Sequence, residues 1–206
     1  MDDNNGLKGV FNVIINLLTH EPSYLEAPDY IPVSKVLNYG DGPYKLEKHY
    51  HANIASFLLL AKWFNFLKEN GVYDNTRIII LSDHGRKLGD SFPQPYPNIR
   101  LPYNEEVETF NSLFMVKDFN ASGTLVTNDN FMTCADVPLI LTEKIIENPL
   151  NPFTGKLFET QKSQGVVITR SDAPDPEKYI YNIKHNEWLY VKDFIFDKKN
   201  WSVYIP

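Results

Sequence analysis

Hydrophobic positions fall along this chain in distinct textures. Val10 to Leu18 is an apolar run of strand length, interrupted only by Asn12 and Asn16 and ended by Thr19-His20-Glu21-Pro22. Such near-continuous Val, Ile and Leu predicts a strand covered on both faces, as in a parallel sheet. Residues 22–48 carry Pro22, Pro28, Pro32, Gly40, Gly42 and Pro43, which predict a long irregular segment anchored by Tyr24, Tyr30, Tyr39 and Tyr44. From 49 to 70 the period changes to 3.6. Ile54, Phe57, Leu58, Ala61, Phe64 and Leu67 share a face that Leu59, Leu60, Trp63 and Phe66 widen, so a mostly covered helix is expected. Asn70-Gly71 supplies its stop. After a short turn, Ile78-Ile79-Ile80-Leu81 has the composition of a buried strand, and it runs into Ser82-Asp83-His84-Gly85. Helix, short turn and buried strand make the return half of a βαβ unit.

Further along, the prolines at 93, 95, 97 and 102 predict a second irregular stretch over 89–104. Asn111–Lys117 reads as a strand. Residues 133–147 read as a helix, with Pro138 tolerable in its first turn. Val166–Thr169 is a short strand. Lys178–Lys184 and Glu187–Phe196 alternate and are rich in aromatics, which predicts a hairpin turning at His185-Asn186. The expected order is therefore α/β first, over residues 1–150, and an antiparallel β subdomain over 151–206.

Composition narrows the function classes. A chain of 206 residues suffices for one sizeable domain, and a net charge of −6 with no Lys/Arg cluster argues against nucleic acid as a partner. No window approaches the ~18 apolar residues of a membrane span, so this chain reads as soluble. Cys134 is the single cysteine, which excludes an internal disulfide. Its apolar neighbours favour buried packing over reactivity.

Candidate chemistry gathers where strands end. In open α/β sheets ligands bind beyond the carboxyl ends of strands, and two strands expected here end in polar residues, one at His20 and one at Asp83-His84. A carboxylate beside a neutral imidazole suits Zn²⁺ or Mn²⁺, and Gly85 lets the backbone turn there. Set against this, Asp often caps a turn, and His20 alone reads first as a hydrogen-bonded structural histidine. His49 and His51 open the long helix in solvated or stacking positions, and His185 sits in the expected hairpin turn. Arg86 and Lys87 read equally as a solvated turn or as cations suited to an anionic substrate.

The segment from Gly71-Val72-Tyr73-Asp74-Asn75-Thr76 through the apolar strand to Asp83-His84-Gly85 resembles the corresponding segment of the sulfatase and alkaline phosphatase superfamily. Leu17-Leu18-Thr19-His20-Glu21-Pro22 and Leu88-Gly89-Asp90 resemble further segments of that superfamily, in the manner of lipoteichoic acid synthases and phosphoethanolamine transferases. The resemblance implies the C-terminal part of an alkaline-phosphatase-like fold: a mixed, mostly parallel sheet flanked by helices, with a small antiparallel C-terminal sheet. It implies Asp83 and His84 as ligands of a divalent metal, Zn²⁺ or Mn²⁺ ahead of Mg²⁺ or Ca²⁺. It implies His20 as a catalytic contact to a phosphate- or sulfate-ester substrate such as a lipid headgroup or a glycan. The family's nucleophile and an acidic ligand precede the segment matching Val10, so the partner expected is an upstream part of the same polypeptide. The parent would be a membrane-anchored protein of the bacterial cell envelope with this domain extracytoplasmic. Family members often carry a further His after the Asp-His-Gly and an acidic residue where Phe57 stands; here no His lies between His84 and His185. That departure motivates the alternative, a catalytically inactive binding module.

Overall fold

The computed structural model describes residues 9–20, 24–37, 48–87, 99–158, 165–171 and 183–206. They fall into two compact units, residues 1–73 and 74–206.

In the first unit, two short strands, β1 (Leu25–Glu26) and β2 (Ile31–Pro32), pair antiparallel inside the segment expected to be irregular. Tyr30, at a φ of 53°, makes the reversal and donates from its N–H to the Glu26 carbonyl at 2.7 Å. A helix, α1 (Lys48–Glu69), follows, without Gly or Pro inside it. Its stop is the one read from sequence. Gly71 takes a φ of 67°, its N–H donates to Lys68 O at 3.0 Å, and the Val72 N–H reaches Leu67 O at 3.0 Å. These two bonds are a Schellman ending, which needs a left-handed residue and so favours Gly. The core forms on a different face from the one expected. Ala52 and Ala55 bury against Leu25, with Leu18 and Tyr30 packed alongside, whereas Phe57, Leu58, Leu59 and Phe66 are exposed. Small side chains let the hairpin approach the helix, and the large ones are left outside that contact.

The second unit opens with β3 (Ile78–Leu81), which pairs antiparallel with β4 (Phe114–Lys117) from Ile78 opposite Lys117 to Leu81 opposite Phe114. A 3₁₀ turn at Cys134–Asp136 leads into α2 (Val137–Thr142), much shorter than the helix expected over 133–147. Thr133 and Asp136 form a capping box at its start, with the Thr133 N–H on Asp136 Oδ2 at 2.8 Å. A three-stranded antiparallel sheet orders β5 (Val166–Ser171), β6 (Ile183–Val191) and β7 (Trp201–Tyr204) in sequence. The hairpin expected at His185-Asn186 is absent: β6 runs straight through both residues. Two-residue hairpins favour Gly at the left-handed position, and none is present here. The core of this unit gathers Ile99, Leu101, Val107 and Leu189, with Phe110 against Trp201 at 5.4 Å between ring centroids.

The alkaline-phosphatase-like fold is overturned. Among the described residues the sheets have two, two and three strands and every pairing is antiparallel. Among the same residues no large parallel sheet is present, and two α-helices are described. The run Val10 to Leu18 forms no strand, and its apolar residues from Val10 to Leu17 are 68 to 80 % exposed. A parallel sheet needs a crossover that returns a strand to lie beside an earlier one. Here β3 instead takes the later segment Phe114–Lys117, running the opposite way. Among the described residues, no helix is long and apolar enough to cross a membrane.

Candidate functional site

The Asp83-His84 loop leaves the end of β3 and is held by the segment ahead of β4. Ser82 donates from its N–H to Leu113 O at 3.0 Å, and its hydroxyl accepts the Leu113 N–H at 2.7 Å. Gly85 donates to Thr109 O at 2.9 Å. The Ser112 hydroxyl lies 3.4 Å from Asp83 O. Gly85 is required for closeness rather than for a left-handed turn: a Cβ there would collide with the Glu108 carbonyl oxygen and lie 2.7 Å from that of Asn111. Val107, fully buried, anchors the 3₁₀ turn Val107–Phe110 against which the loop rests.

On this clamped base both predicted ligands face solvent, with side chains 89 % (Asp83) and 70 % (His84) exposed. Asp83 Oδ1 accepts the His84 N–H at 3.0 Å, which orients the carboxylate. His84 Nδ1 lies 2.6 Å from Gly85 O. A carbonyl only accepts, so Nδ1 carries the hydrogen, and in the neutral ring the lone pair is then on Nε2. That Nε2 stands 3.7 Å from Asp83 Oδ2, too long for a hydrogen bond. Two metal–ligand bonds of about 2.0–2.2 Å bridge such a gap at an ordinary coordination angle. A backbone carbonyl holding the far ring nitrogen is also the usual support of a metal-bound histidine. The pair therefore fits two positions of a divalent cation. Among the described residues no group of three His, Cys, Asp or Glu side chains converges to complete the set.

No protein-family model, curated protein or solved structure matches this chain.

The other candidates are distributed elsewhere. His20 is exposed and belongs to the first unit, whereas Asp83 and His84 belong to the second. His49 is half-buried in the first turn of α1, and His51 is buried against the rings of Tyr30 and Tyr50, at 5.8 and 5.5 Å. Lys87 pairs with Glu105 at 3.2 Å, and Arg86 is exposed. Leu88-Gly89-Asp90 and the side chain of His185 lie outside the described residues. Cys134 is exposed rather than buried, and its thiol approaches the Ser82 carbonyl at 3.9 Å. It thus borders the site, as do Ser82 and the 107–112 segment. Only the polar residue ending the apolar strand, Ser82, left a trace in the sequence.

At the opposite end of β3, Arg77 donates through Nε and Nη2 to Asp118 at 2.9 and 2.7 Å, and through Nη1 to the carbonyls of Ile140, Leu141 and Glu143. These close the end of α2. The Lys144 ammonium, then Arg77 and the Phe119 N–H, hold the Asp118 carboxyl well below the usual carboxylate range. The same contact raises the Lys144 pKa.

Proposed function

We propose that this chain is part of a metal-dependent phosphate- or sulfate-ester transferase or hydrolase, in which Asp83 and His84 hold a divalent cation, Zn²⁺ or Mn²⁺ ahead of Mg²⁺ or Ca²⁺. The observation that carries the reading is His84 Nε2 set 3.7 Å from Asp83 Oδ2 on an exposed, clamped loop. A cation there supplies Lewis-acid stabilisation of charge on the transferred group. The Gly85 carbonyl fixes the His84 tautomer, and the His84 N–H aims the Asp83 carboxylate. The nucleophile belongs to polypeptide upstream of Val10, and the parent is a membrane-anchored envelope protein with this domain extracytoplasmic. The uncovered apolar residues from Val10 to Leu17 support a further covering partner, because patches of that kind mark interaction surfaces.

The test is metal-dependent turnover of aryl phosphate and aryl sulfate esters by the full-length polypeptide, beside its Asp83→Asn variant. The expected outcome is turnover that requires Zn²⁺ or Mn²⁺ and is lost in D83N. Unchanged turnover in D83N rejects the assignment.

A second reading, a binding module, draws on the first unit. Tyr24 and Tyr50 present partly exposed rings, with the Lys48 ammonium 4.6 Å over the ring of Tyr24. Such rings suit stacking on a glycan. Glycan binding lost in Tyr24→Ala, without metal-dependent turnover, would favour this reading.

A further inference from the structure

The geometry points to Ser82 as the positioning residue of the Asp83-His84 pair, an inference that rests on the metal-site reading above. Continuing the β3–β4 register past Leu81 and Phe114 brings Ser82 opposite Leu113. Opposed residues in an antiparallel ladder alternate between pairs that exchange both backbone N–H···O bonds and pairs that exchange neither, and the Ser82 N–H on Leu113 O marks this as a pair of the first kind. Here only one of the two is regular. The Ser82 N–H donates to Leu113 O at 3.0 Å, but the returning Leu113 N–H goes to the Ser82 hydroxyl at 2.7 Å. The hydroxyl has taken the place of the Ser82 carbonyl, which is freed from the ladder and lies 3.9 Å from the Cys134 thiol. Rotating that carbonyl out rotates the whole Ser82–Asp83 peptide, since the unit is planar. The rotation ends the strand and directs Asp83 and His84 away from the sheet.

Removing the hydroxyl leaves the Leu113 N–H without its acceptor. The least costly repair is to draw the Ser82 carbonyl back into the ladder, extending β3 by one residue and turning Asp83 away from His84 Nε2. The role needs a hydroxyl at one bond from Cβ, so Thr preserves it and Ala or Val does not.

The experiment is Mn²⁺ titration followed by amide NMR of the 206-residue chain, comparing wild type with Ser82→Ala, Ser82→Thr and Asp83→Asn. Mn²⁺ broadens resonances near its site even when binding is weak. Selective broadening around Asp83, His84 and Gly85 is expected in wild type and S82T, and none in D83N. S82A is expected to need about tenfold more Mn²⁺, the usual loss when a residue supporting a metal ligand is removed. Should S82A not fold, S82V and S82T give the same comparison. They are isosteric, both suit a strand end, and they differ only in the hydroxyl. Equal broadening in wild type and the variants lacking the hydroxyl overturns the positioning role while the metal reading stands. Wild type and D83N alike without selective broadening overturn the metal reading, and the inference with it.

Discussion

Two apolar runs in this chain look alike as sequence and end differently as structure. Val10 to Leu18 is the longer, with six Val, Ile and Leu residues among nine, yet it forms no ladder and its large side chains from Val10 to Leu17 stand exposed. Ile78 to Leu81 is four residues long and becomes a strand. The difference lies at the ends. Arg77, just before the shorter run, faces Asp118, just after β4, and ties to it at 2.7 Å. Ser82, just after the run, ties to Leu113. A strand pinned at both ends has its register set, and hydrophobicity alone sets none. The longer run has Asn16, which reaches Ser56 at 3.0 Å, but no matching polar pair across a second strand among the described residues.

The largest effect that sharpens this contrast comes from equal truncations in the two runs. Ile78 is buried, so Ile78→Ala is expected to cost about 3 kcal/mol in urea unfolding. Ile14→Ala, at an exposed position, is expected to fall within about 0.5 kcal/mol. Comparable losses at both positions would mean that the longer run is covered in solution.

Next in size is Gly85→Ala. The added methyl meets the Glu108 and Asn111 carbonyl oxygens, which belong to backbone and yield only by moving the turn. A loss of about 2 kcal/mol is expected, together with faster hydrogen exchange at the Gly85 amide. Wild-type stability and exchange in G85A would show that the clamp does not hold the loop.

The smallest effect is electrostatic and concerns the Arg77 end of β3. The Asp118 carboxyl has its pKa depressed in the folded state. Its contribution is therefore present above the ordinary carboxylate pKa of about 3.9 and is lost as pH falls through the lower folded value. Between roughly pH 5 and pH 2 the unfolding temperature of wild type is expected to fall more steeply than that of Asp118→Asn. Parallel curves would remove the ion pair from the account of register.

Much of the local architecture was legible in the residues. The helix, its stop at Gly71 and the strand at Ile78–Leu81 follow from signals within a few positions of each element. So does the placement of Asp83 and His84 just past a strand end. What the apolar runs pair with was not legible. The expectation of a parallel sheet came from two runs of the right composition, and composition does not name a partner. His185-Asn186 misled for a related reason, since a polar pair between aromatic runs permits a turn without requiring one. The face of α1 misled because the largest side chains were taken to be the covered ones, whereas Ala52 and Ala55 make the close contact.

By itself, then, the sequence determined those features whose hydrogen bonds close locally: α1, its left-handed Gly71 ending, the capping box at Thr133, and the Asp83-His84-Gly85 turn with its internal bonds. The tertiary structure alone decided that β3 meets β4 antiparallel, that Arg77 closes the end of α2, and that Cys134 borders the site. It also decided that Gly85 is needed for the carbonyls of a distant turn. Each of these joins residues more than twenty positions apart, and the free energy of such a contact depends on what the intervening chain brings into reach, which no local pattern encodes.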